Sequence, residues 1–278
     1  MSQLTNDKRR LIVVVFHSAL VETELIRSLP ERTQHLALIK TVSLKAVLFD
    51  FNGVIINDEP IHKRLVEEIL IGENVTNLRK GEFEQTCLGR SDRVCLRELL
   101  NNRGRIVTEE NLNKIILKKA VLYLKELDQL EKLPLFPGID DIIFQIRSKG
   151  LKLGLVTGAV RKEVEIVLER GKLKEYFPVI VAGDDITTSK PEPTGYLLAV
   201  ERLNQEYPDL NLKPNECLAI EDTPAGIQAA KSAGMQVVGI ANTYPFHMLQ
   251  RVSNWTVDYF SDLELERVAQ VFIQKSAA

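Results

Sequence analysis

The chain has 278 residues, 45% hydrophobic and 27% charged, which is the composition of a folded globular protein. Its length corresponds to one large domain or two smaller ones of roughly 100–200 residues each. Lys and Arg number 36 and Asp and Glu 38, for a net charge of −2. That balance argues against a general nucleic-acid binder, because phosphate contacts need an excess of positive charge. No apolar run approaches the roughly 20 residues of a transmembrane helix. We predict a monomer with neither a nucleic-acid nor a membrane partner.

The three cysteines, Cys87, Cys95 and Cys217, leave one unpaired in any disulfide scheme, and no two form a CxxC motif. A reducing compartment fits this usage best. Residues 8–16 combine three basic residues with six apolar ones, as at the start of a signal peptide, but the apolar run is short. We therefore predict a cytoplasmic protein.

The N-terminal part of the chain looks like an extension of unknown role, covering residues 1–42. It contains a candidate strand at 11–16 and a candidate helix at 19–29. The pattern changes at residues 44–49, a short apolar run typical of a buried strand.

A helical pattern follows this strand and extends to about Leu133. Ser91 is a candidate cap for a helix that ends near Asn102. Thr108 precedes a long helix whose first residues are acidic, as the positive end of a helix dipole favours. Because the segment shows no strand pattern, we predict that residues 59–134 form an all-helical cap domain.

Short apolar strands alternate with helices in the rest of the chain, which predicts a parallel, doubly wound sheet. The expected fold class is therefore α/β, a Rossmann-like core (residues 43–58 and 135–278) with the helical cap domain inserted after its first strand. The predicted strands are 151–156, 179–182, 217–220, 235–240 and 255–259, and the predicted helices are 139–149, 160–170, 194–206, 224–232 and one from about 262.

Polar residues stand just past several of these strands, where open α/β sheets bind their ligands. Three carboxylates are hard oxygen ligands suited to Mg²⁺. A metal beside a lysine can clamp a phosphoryl group, and a carboxylate that touches the metal can attack phosphorus. A threonine and the backbone N–H groups after it can hold phosphoryl oxygens. The candidate residues are Asp50, Asn52, Thr157, Gly158, Lys190, Glu221 and Asp222.

Four motifs in order resemble those of the haloacid dehalogenase-like (HAD) superfamily, in its β-phosphoglucomutase-like subgroup with a helical cap. They are Asp50-Phe51-Asn52-Gly53-Val54, Val156-Thr157-Gly158, Lys190-Pro191 and Ile220-Glu221-Asp222-Thr223-Pro224-Ala225-Gly226. The resemblance implies that Asp50 is a nucleophile. It also implies a Mg²⁺ site made by Asp50, the backbone carbonyl of Asn52, Glu221 and Asp222, and a phosphate site made by Thr157, Gly158 and Lys190.

One position departs from the family pattern. Phosphatases and mutases of the superfamily carry a second Asp two residues after the nucleophile, and here it is Asn52. An amide cannot exchange a proton as that Asp does, and loss of acid–base help costs about 10²–10⁴ in rate. Four interpretations are open. The protein is a slow phosphatase, or one specialised for substrates with good leaving groups that need no acid; another residue, such as Asp58 or His62, supplies the proton; the protein binds phosphorylated ligands without turnover; or Asn52 is converted to Asp by deamidation.

The cap is expected to select the substrate. Arg90 is a candidate ligand for a second anionic group, with Arg93 close to it, although solvated surface arginines fit the sequence equally well. A phosphonate hydrolase would need a cap lysine that forms a Schiff base, and the sequence singles out none. The predicted function is a Mg²⁺-dependent phosphatase of small phosphorylated metabolites, of the phosphosugar type, acting through an aspartyl-phosphate on Asp50. The alternatives are a phosphomutase and a catalytically impaired phosphometabolite-binding or regulatory protein.

Overall fold

The computed structural model describes residues 43–274, so the candidate strand and helix within residues 1–42 lie outside the described residues. Residues 43–269 form one compact unit that contains the sheet, the inserted helices and the candidate site. The strands are β1 (Ala46–Phe49), β2 (Lys152–Val156), β3 (Val179–Val181), β4 (Cys217–Glu221), β5 (Gln236–Ile240) and β6 (Trp255–Val257). The helices are α1 (Glu59–Gly72), α2 (Glu82–Thr86), α3 (Asp92–Asn101), α4 (Glu109–Gln129), α5 (Ile139–Ser148), α6 (Arg161–Arg170), α7 (Thr194–Glu206), α8 (Pro224–Ser232), α9 (Phe246–Leu249) and α10 (Leu265–Gln274).

The six strands form one parallel sheet in the order β3-β2-β1-β4-β5-β6, which confirms the predicted doubly wound fold. Every residue of β1 and β4 is buried. Continuous apolar strands of this kind need cover on both faces, which the helices between the strands provide. The chain runs outward from β1 to β2 and β3 and then returns to the other side of β1. The switch point of the sheet therefore lies between β1 and β4.

The strand register brings the ends of three strands to the same level. Phe49 of β1 lies beside Leu155 of β2 and Ile220 of β4. The residues that follow, Asp50 and Glu221, therefore leave the sheet at the same edge. This alignment, which follows from parallel pairing, sets the position of the candidate site.

The helices α1 to α4, which lie between β1 and α5 in the chain, form the segment that we call the cap. Within the described residues its secondary structure is helical apart from an isolated β-bridge on either side, in agreement with the predicted helical pattern. The boundaries of the cap as a separate domain stay a prediction. Its helices pack around their own apolar cluster, which includes Val66, Leu70, Phe83, Leu96, Leu99, Leu100, Leu112 and Ile115.

Three local predictions can be compared with the structure. Thr108 caps α4, because its Oγ1 accepts a hydrogen bond from the backbone N–H of Asn111 at 3.3 Å. That helix ends at Gln129 rather than near Leu133, because Leu130 is extended and Arg170 takes up the last carbonyls. The short helix α9 was not predicted; its four residues are too few for a periodic pattern.

Cys87 and Cys95 are joined by a disulfide, and Cys217 is buried and free. The expectation of a reducing compartment receives no support from this bond, because disulfides persist mainly in oxidising compartments. Seven residues separate the pair, a spacing that matches no common motif. None of the helices between residues 43 and 274 is both long and apolar enough to span a bilayer.

Candidate active site

Three carboxylates meet at the carboxyl edge of the sheet. Asp50 follows β1, Glu221 ends β4, and Asp222 comes directly after it; all three are buried. One ligand oxygen from each lies within 4.8 Å of the other two. Three buried acidic groups at this distance repel one another unless a cation or a proton compensates them. The structure thus brings together three of the predicted metal ligands.

Lys190 is the cationic partner of this cluster among the described residues. It lies on the loop before α7, with Nζ 2.8 Å from Asp50 Oδ1 and 2.6 Å from Glu221 Oε1. Burial opposes its charge, but the two carboxylates outweigh burial and raise the pKa of Lys190. Tyr196 adds a neutral donor, since its hydroxyl hydrogen-bonds to Glu221 Oε1 at 2.6 Å. One lysine against three acids still leaves an excess of negative charge.

The remaining negative charge and the donor set fit a divalent cation. Burial, followed by the charge of Asp50, raises the pKa of Glu221 to about 7. Burial, followed by the charges of Asp50 and Glu221, also raises the pKa of Asp222 well above its usual value. Asp222 Oδ1 is buried and has no hydrogen-bond partner among the described residues. Clustered oxygens with an unpartnered atom suit Mg²⁺, which prefers hard oxygen ligands.

Two glycines let the backbone approach these carboxylates. Gly53 has a φ of +77°, and a Cβ there would stand 1.9 Å from Asp222 Oδ2. A Cβ on Gly226 would stand 2.0 Å from Glu221 Oε2. The N-terminal cap of α8 is Thr223, whose Oγ1 accepts a hydrogen bond from Gly226 N at 3.1 Å. Asp222 is therefore not needed as the helix cap and is free to face the cluster.

Thr157 and Gly158 lie beside the carboxylates. Both line one cavity together with Asp50 and Lys190. Thr157 is buried, and its Oγ1 accepts a hydrogen bond from the backbone N–H of Ala159 at 3.0 Å. The structure assembles the predicted phosphate-binding residues around one space, and their binding role stays a prediction.

Asn52 uses its side chain for a contact that the sequence did not reveal. Its Nδ2 donates to both carboxylate oxygens of Asp58, each at 3.0 Å. The Asp58 side chain is fully buried and also accepts a hydrogen bond from the Tyr123 hydroxyl. Burial opposes its charge, but His62, Tyr123 and Asn52 together hold the pKa of Asp58 below its usual value. Because Asp58 is ionised, an amide suits position 52 where a second carboxylate would be repelled.

The cap contributes a buried polar cluster around Lys119, a residue that the sequence analysis did not single out. Lys119 of α4 lies 2.8 Å from His62 Nδ1 and 2.8 Å from Asp92 Oδ2. Burial opposes its charge, but the carboxylates of Asp92 and Glu163 raise the pKa of Lys119. The ring of His62 stacks on that of Tyr123, with centroids 4.7 Å apart. Asp58 and His62 thus support Asn52 from the side of the cap.

A signal for Lys119 existed in the sequence. It stands four residues from Ile115 and four from Tyr123, within the apolar face of the long helix α4. A lysine on an apolar face is almost never fully buried without a partner. Lys119 lines the cavity, so a cap lysine does face the site. It is held as an ion-paired ammonium, however, whereas a Schiff-base lysine must be neutral to act as a nucleophile.

The predicted cap arginines have different surroundings. Arg90 lines the cavity, but its guanidinium is paired with Glu98, Nη1 to Oε2 at 2.9 Å. Arg93 is not among the cavity-lining residues and pairs with Glu109 instead. The substrate-binding role of Arg90 therefore stays a prediction. Glu59 also lines the cavity and was not singled out; burial, with the charge of Asp58 next, raises its pKa to about 7.

The fold and the site define a class of protein: an α/β enzyme that gathers acidic oxygens and a lysine at the switch point of a parallel sheet. A model of the haloacid dehalogenase-like hydrolase family matches residues 47–240. The chain belongs to this family, and it is an enzyme of the hydrolase type.

Individual relatives agree with the family. The chain is 29% identical over 201 residues to a phosphorylated carbohydrates phosphatase of Thermotoga maritima, covering 72% of this chain and 87% of the relative. It is 28% identical over 239 residues to the beta-phosphoglucomutase of Bacillus subtilis, covering 84% and 99%. A solved structure of a family IA, variant 3 HAD hydrolase from Entamoeba histolytica is similar with a TM-score of 0.70 and 26% identity, covering 82% and 99%.

Proposed function

We propose that the protein is a Mg²⁺-dependent, cytoplasmic phosphatase of small phosphorylated metabolites, with phosphosugar-type monoesters as the best substrate class. The observation that carries the proposal is the meeting of Asp50, Glu221, Asp222 and Lys190 at the carboxyl edge of the sheet. Asp50, Asp222 and Lys190 line the cavity there. The phosphatase of T. maritima and the mutase of B. subtilis, both named for phosphorylated carbohydrates, support the substrate class. A cytoplasmic location fits substrates of this kind, because charged phosphoesters do not cross a membrane unaided.

In this proposal Asp50 is the nucleophile. Its carboxylate attacks phosphorus, an aspartyl-phosphate forms, and the alcohol of the substrate leaves; water then releases phosphate from Asp50. Lys190, Thr157 and the backbone N–H of Gly158 hold the phosphoryl oxygens, and Lys190 offsets the charge that develops on them. Mg²⁺, held by Asp50, the backbone carbonyl of Asn52, Glu221 and Asp222, supplies further charge stabilisation when bound.

The proton for the leaving oxygen needs a source other than Asn52. Asp58 does not suit this task, because its pKa is held low and its carboxylate is already bonded. Glu59 and His62 both line the cavity. Burial raises the pKa of Glu59 to about 7. Burial and Lys119 oppose the charge of His62, but the Asp58 carboxylate outweighs them and raises the pKa of His62. In the proposal these two residues are the candidate acids, and substrates with good leaving groups need neither.

The size of the cavity supports a compact substrate. It encloses about 60 Å³, room for roughly four to six water molecules at about 10–15 Å³ each. That space suits a phosphoryl group with a few further atoms. Larger phosphosugars require the cap to move away from the sheet, as caps and lids of enzymes commonly do.

The test is phosphate release with Mg²⁺ from phosphosugars, other monoesters and an activated aryl phosphate, after mass analysis of position 52. The unchanged chain should turn over at least one substrate, and Asp50→Asn should abolish that turnover. Asp184→Asn is the matched control, because Asp184 also follows a strand but is exposed and lies outside the cavity. Its activity should be unchanged.

The alternatives predict different results. A phosphomutase would convert a sugar phosphate into its isomer without releasing phosphate, which product analysis of the same reactions would detect. It depends more heavily on the acid–base residue that Asn52 replaces. A binding or regulatory protein would show tight, Mg²⁺-dependent binding of a phosphorylated metabolite with no turnover of any substrate.

A further inference from the structure

The wall of the cavity contains a cysteine pair that the proposed mechanism does not use. Cys87 follows α2 and Cys95 lies one turn into α3; they are disulfide-bonded with Cα atoms 4.6 Å apart. Both line the same cavity as Asp50 and Lys119. The only other cysteine, Cys217, is buried in β4 and does not line it. The disulfide is thus part of the surface that faces the substrate.

The bond closes a loop of residues 88–94, whose first part contacts the core at two places. Gly89 packs so tightly on Thr223 that a Cβ would lie 2.4 Å from the threonine Oγ1. The backbone N–H of Ser91 donates to Ser189 Oγ at 2.8 Å, one residue before the phosphate-site lysine. The disulfide therefore fixes both ends of the cap segment that lies against the catalytic edge.

We propose that Cys87 and Cys95 form a reversible thiol–disulfide exchange site whose state sets how well the cavity binds substrate. The role in substrate binding rests on the proposed phosphatase function. In the reducing compartment proposed for this protein, a disulfide is typically transient and redox-sensing rather than a permanent staple. The pair lines the cavity, so a change in its state changes the surface that the substrate would contact.

The exchange uses a dithiol as reductant. One thiolate of the dithiol attacks Sγ of Cys87, because the Cys87 residue is 8% exposed and the Cys95 residue only 2%. The disulfide breaks, Cys95 leaves as a thiolate, and a mixed disulfide forms on Cys87. The second thiolate of the dithiol then releases Cys87 and closes the reagent's own disulfide. Two electrons pass to the protein, and the two protons of the dithiol end on the two cysteine thiols.

Reduction changes the shape of the wall. Two thiol sulfurs that no longer share a bond must separate to about 3.5–4 Å, the usual contact distance of non-bonded atoms. Residues 88–94 then lose the covalent link between their two ends, and the binding surface loses preorganisation. Asp50 and Lys190 belong to the core and keep their positions. We therefore expect weaker substrate binding with little change in the chemical step.

The experiment uses the full chain in two forms, one equilibrated with glutathione disulfide and one with dithiothreitol. Thiols are counted by alkylation with N-ethylmaleimide in denaturant, followed by mass analysis. The oxidised form should take up one alkyl group, at Cys217, and the reduced form three. The KM of the substrate identified in the panel should rise on the order of tenfold on reduction. The kcat for the activated aryl phosphate should stay within about twofold.

Variants separate the pair from other thiol effects. Cys217→Ser is the matched control and should respond to reduction as the unchanged chain does. Cys87→Ser/Cys95→Ser should have the KM of the reduced form in both buffers. If this double variant does not fold, the KM values of the oxidised and reduced forms of the unchanged chain still test the proposal.

Three free thiols in glutathione disulfide, a bond that dithiothreitol does not open in the folded protein, or equal KM values for the two forms would each refute the proposal. If no substrate is turned over, the phosphatase function fails by itself. The exchange site is then tested by the thiol count and by the affinity of each form for inorganic phosphate and Mg²⁺. Equal affinities of the oxidised and reduced forms would refute the proposal.

Discussion

Replacing Asn52 by Asp restores the residue usual in the family, yet the structure predicts a loss of stability. The amide of Asn52 donates to both oxygens of Asp58 at 3.0 Å. A carboxylate in its place would meet an ionised carboxylate at the same distance. The repulsion between the two carboxylates is removed only if they share a proton or if one side chain rotates away from the other.

The size of the effect follows from the distance. Two like charges at this separation repel by about 5 kcal/mol at an effective dielectric of about 20. Protonating the new carboxyl group avoids this repulsion. With an ordinary pKa of about 3.9, that costs about 1.4 kcal/mol for each pH unit above it, or about 1.5 kcal/mol at pH 5 and about 4 kcal/mol at pH 7. Because Asn52 is only half-buried, we expect about 2–4 kcal/mol at pH 7.

The sign of the pH dependence follows from the direction of the pKa shift. The new carboxyl at position 52 has a raised pKa in the folded protein. Its effect on stability is therefore small below the unfolded pKa of about 3.9, and stability is lost as pH rises through the folded pKa. Thermal unfolding in EDTA should show Asn52→Asp melting about 5–15 °C below the unchanged chain at pH 7. The difference should be much smaller at pH 5.

Two variants serve as controls for this reasoning. Asn52→Ala removes the amide without adding a charge, so its loss of stability should not vary across this pH range. Asn52→Asp/Asp58→Asn exchanges the carboxylate and the amide and should recover most of the melting temperature. A single variant Asn52→Asp that is as stable as the unchanged chain at pH 8, or a loss equal at pH 5 and pH 8, would show that the two side chains do not interact as described.

The remaining predictions concern the charged cluster and its glycine. Lys190→Met leaves the charges of the buried acids unbalanced and should lower the stability of the metal-free protein by about 3–5 kcal/mol. Mg²⁺ should then raise the melting temperature of this variant more than that of the unchanged chain. An equal or smaller rise would show that the charge argument is wrong. The pKa of Glu221 is raised to about 7, so this side chain loses its proton as pH rises from 6 to 8. Over that range the stability of the metal-free protein should fall and its affinity for Mg²⁺, measured by calorimetry, should increase. An affinity that does not depend on pH would contradict this prediction. Gly53→Ala places a Cβ 1.9 Å from Asp222 Oδ2 and should weaken Mg²⁺ binding. Gly104→Ala is the control: Gly104 has a similar φ of +72° and no atom within 4 Å of the added Cβ, so this variant should lose only about 1–2 kcal/mol of stability. Equal Mg²⁺ affinity in both variants would rule out the clash.

Much of the architecture could be predicted because its signals are local. Short apolar strands alternate with amphipathic helices, and that alternation alone implies a parallel sheet. Once the sheet is parallel, the residues after β1 and β4 must emerge at one edge. The sequence therefore predicts that Asp50, Glu221 and Asp222 lie together. Lys190 is indicated only by its chemistry and the family motif, because loops carry no periodic pattern.

Other features of the site could not be predicted, because they depend on the conformation of an irregular turn and on how the cap helices pack. Nothing near Asn52 indicates that its amide binds Asp58, since both belong to an irregular turn after β1. Lys119 reaches His62 only because α1 and α4 pack side by side in the cap. The bond between Cys87 and Cys95 likewise requires the positions that α2 and α3 take in the folded cap.

The class of fold and the residues at the carboxyl edge of the sheet follow from strand periodicity and parallel pairing, which neighbouring residues set, and the family follows from the motifs. The groups that surround those residues depend on the tertiary structure. It turned Asn52 toward an ionised Asp58, set Lys119 as a buried ammonium in the cavity wall and joined two cysteines beside it. The physical reason is that the free energy of a buried charge or a disulfide depends on all the atoms around it, which the folding of the cap brings together from distant parts of the chain.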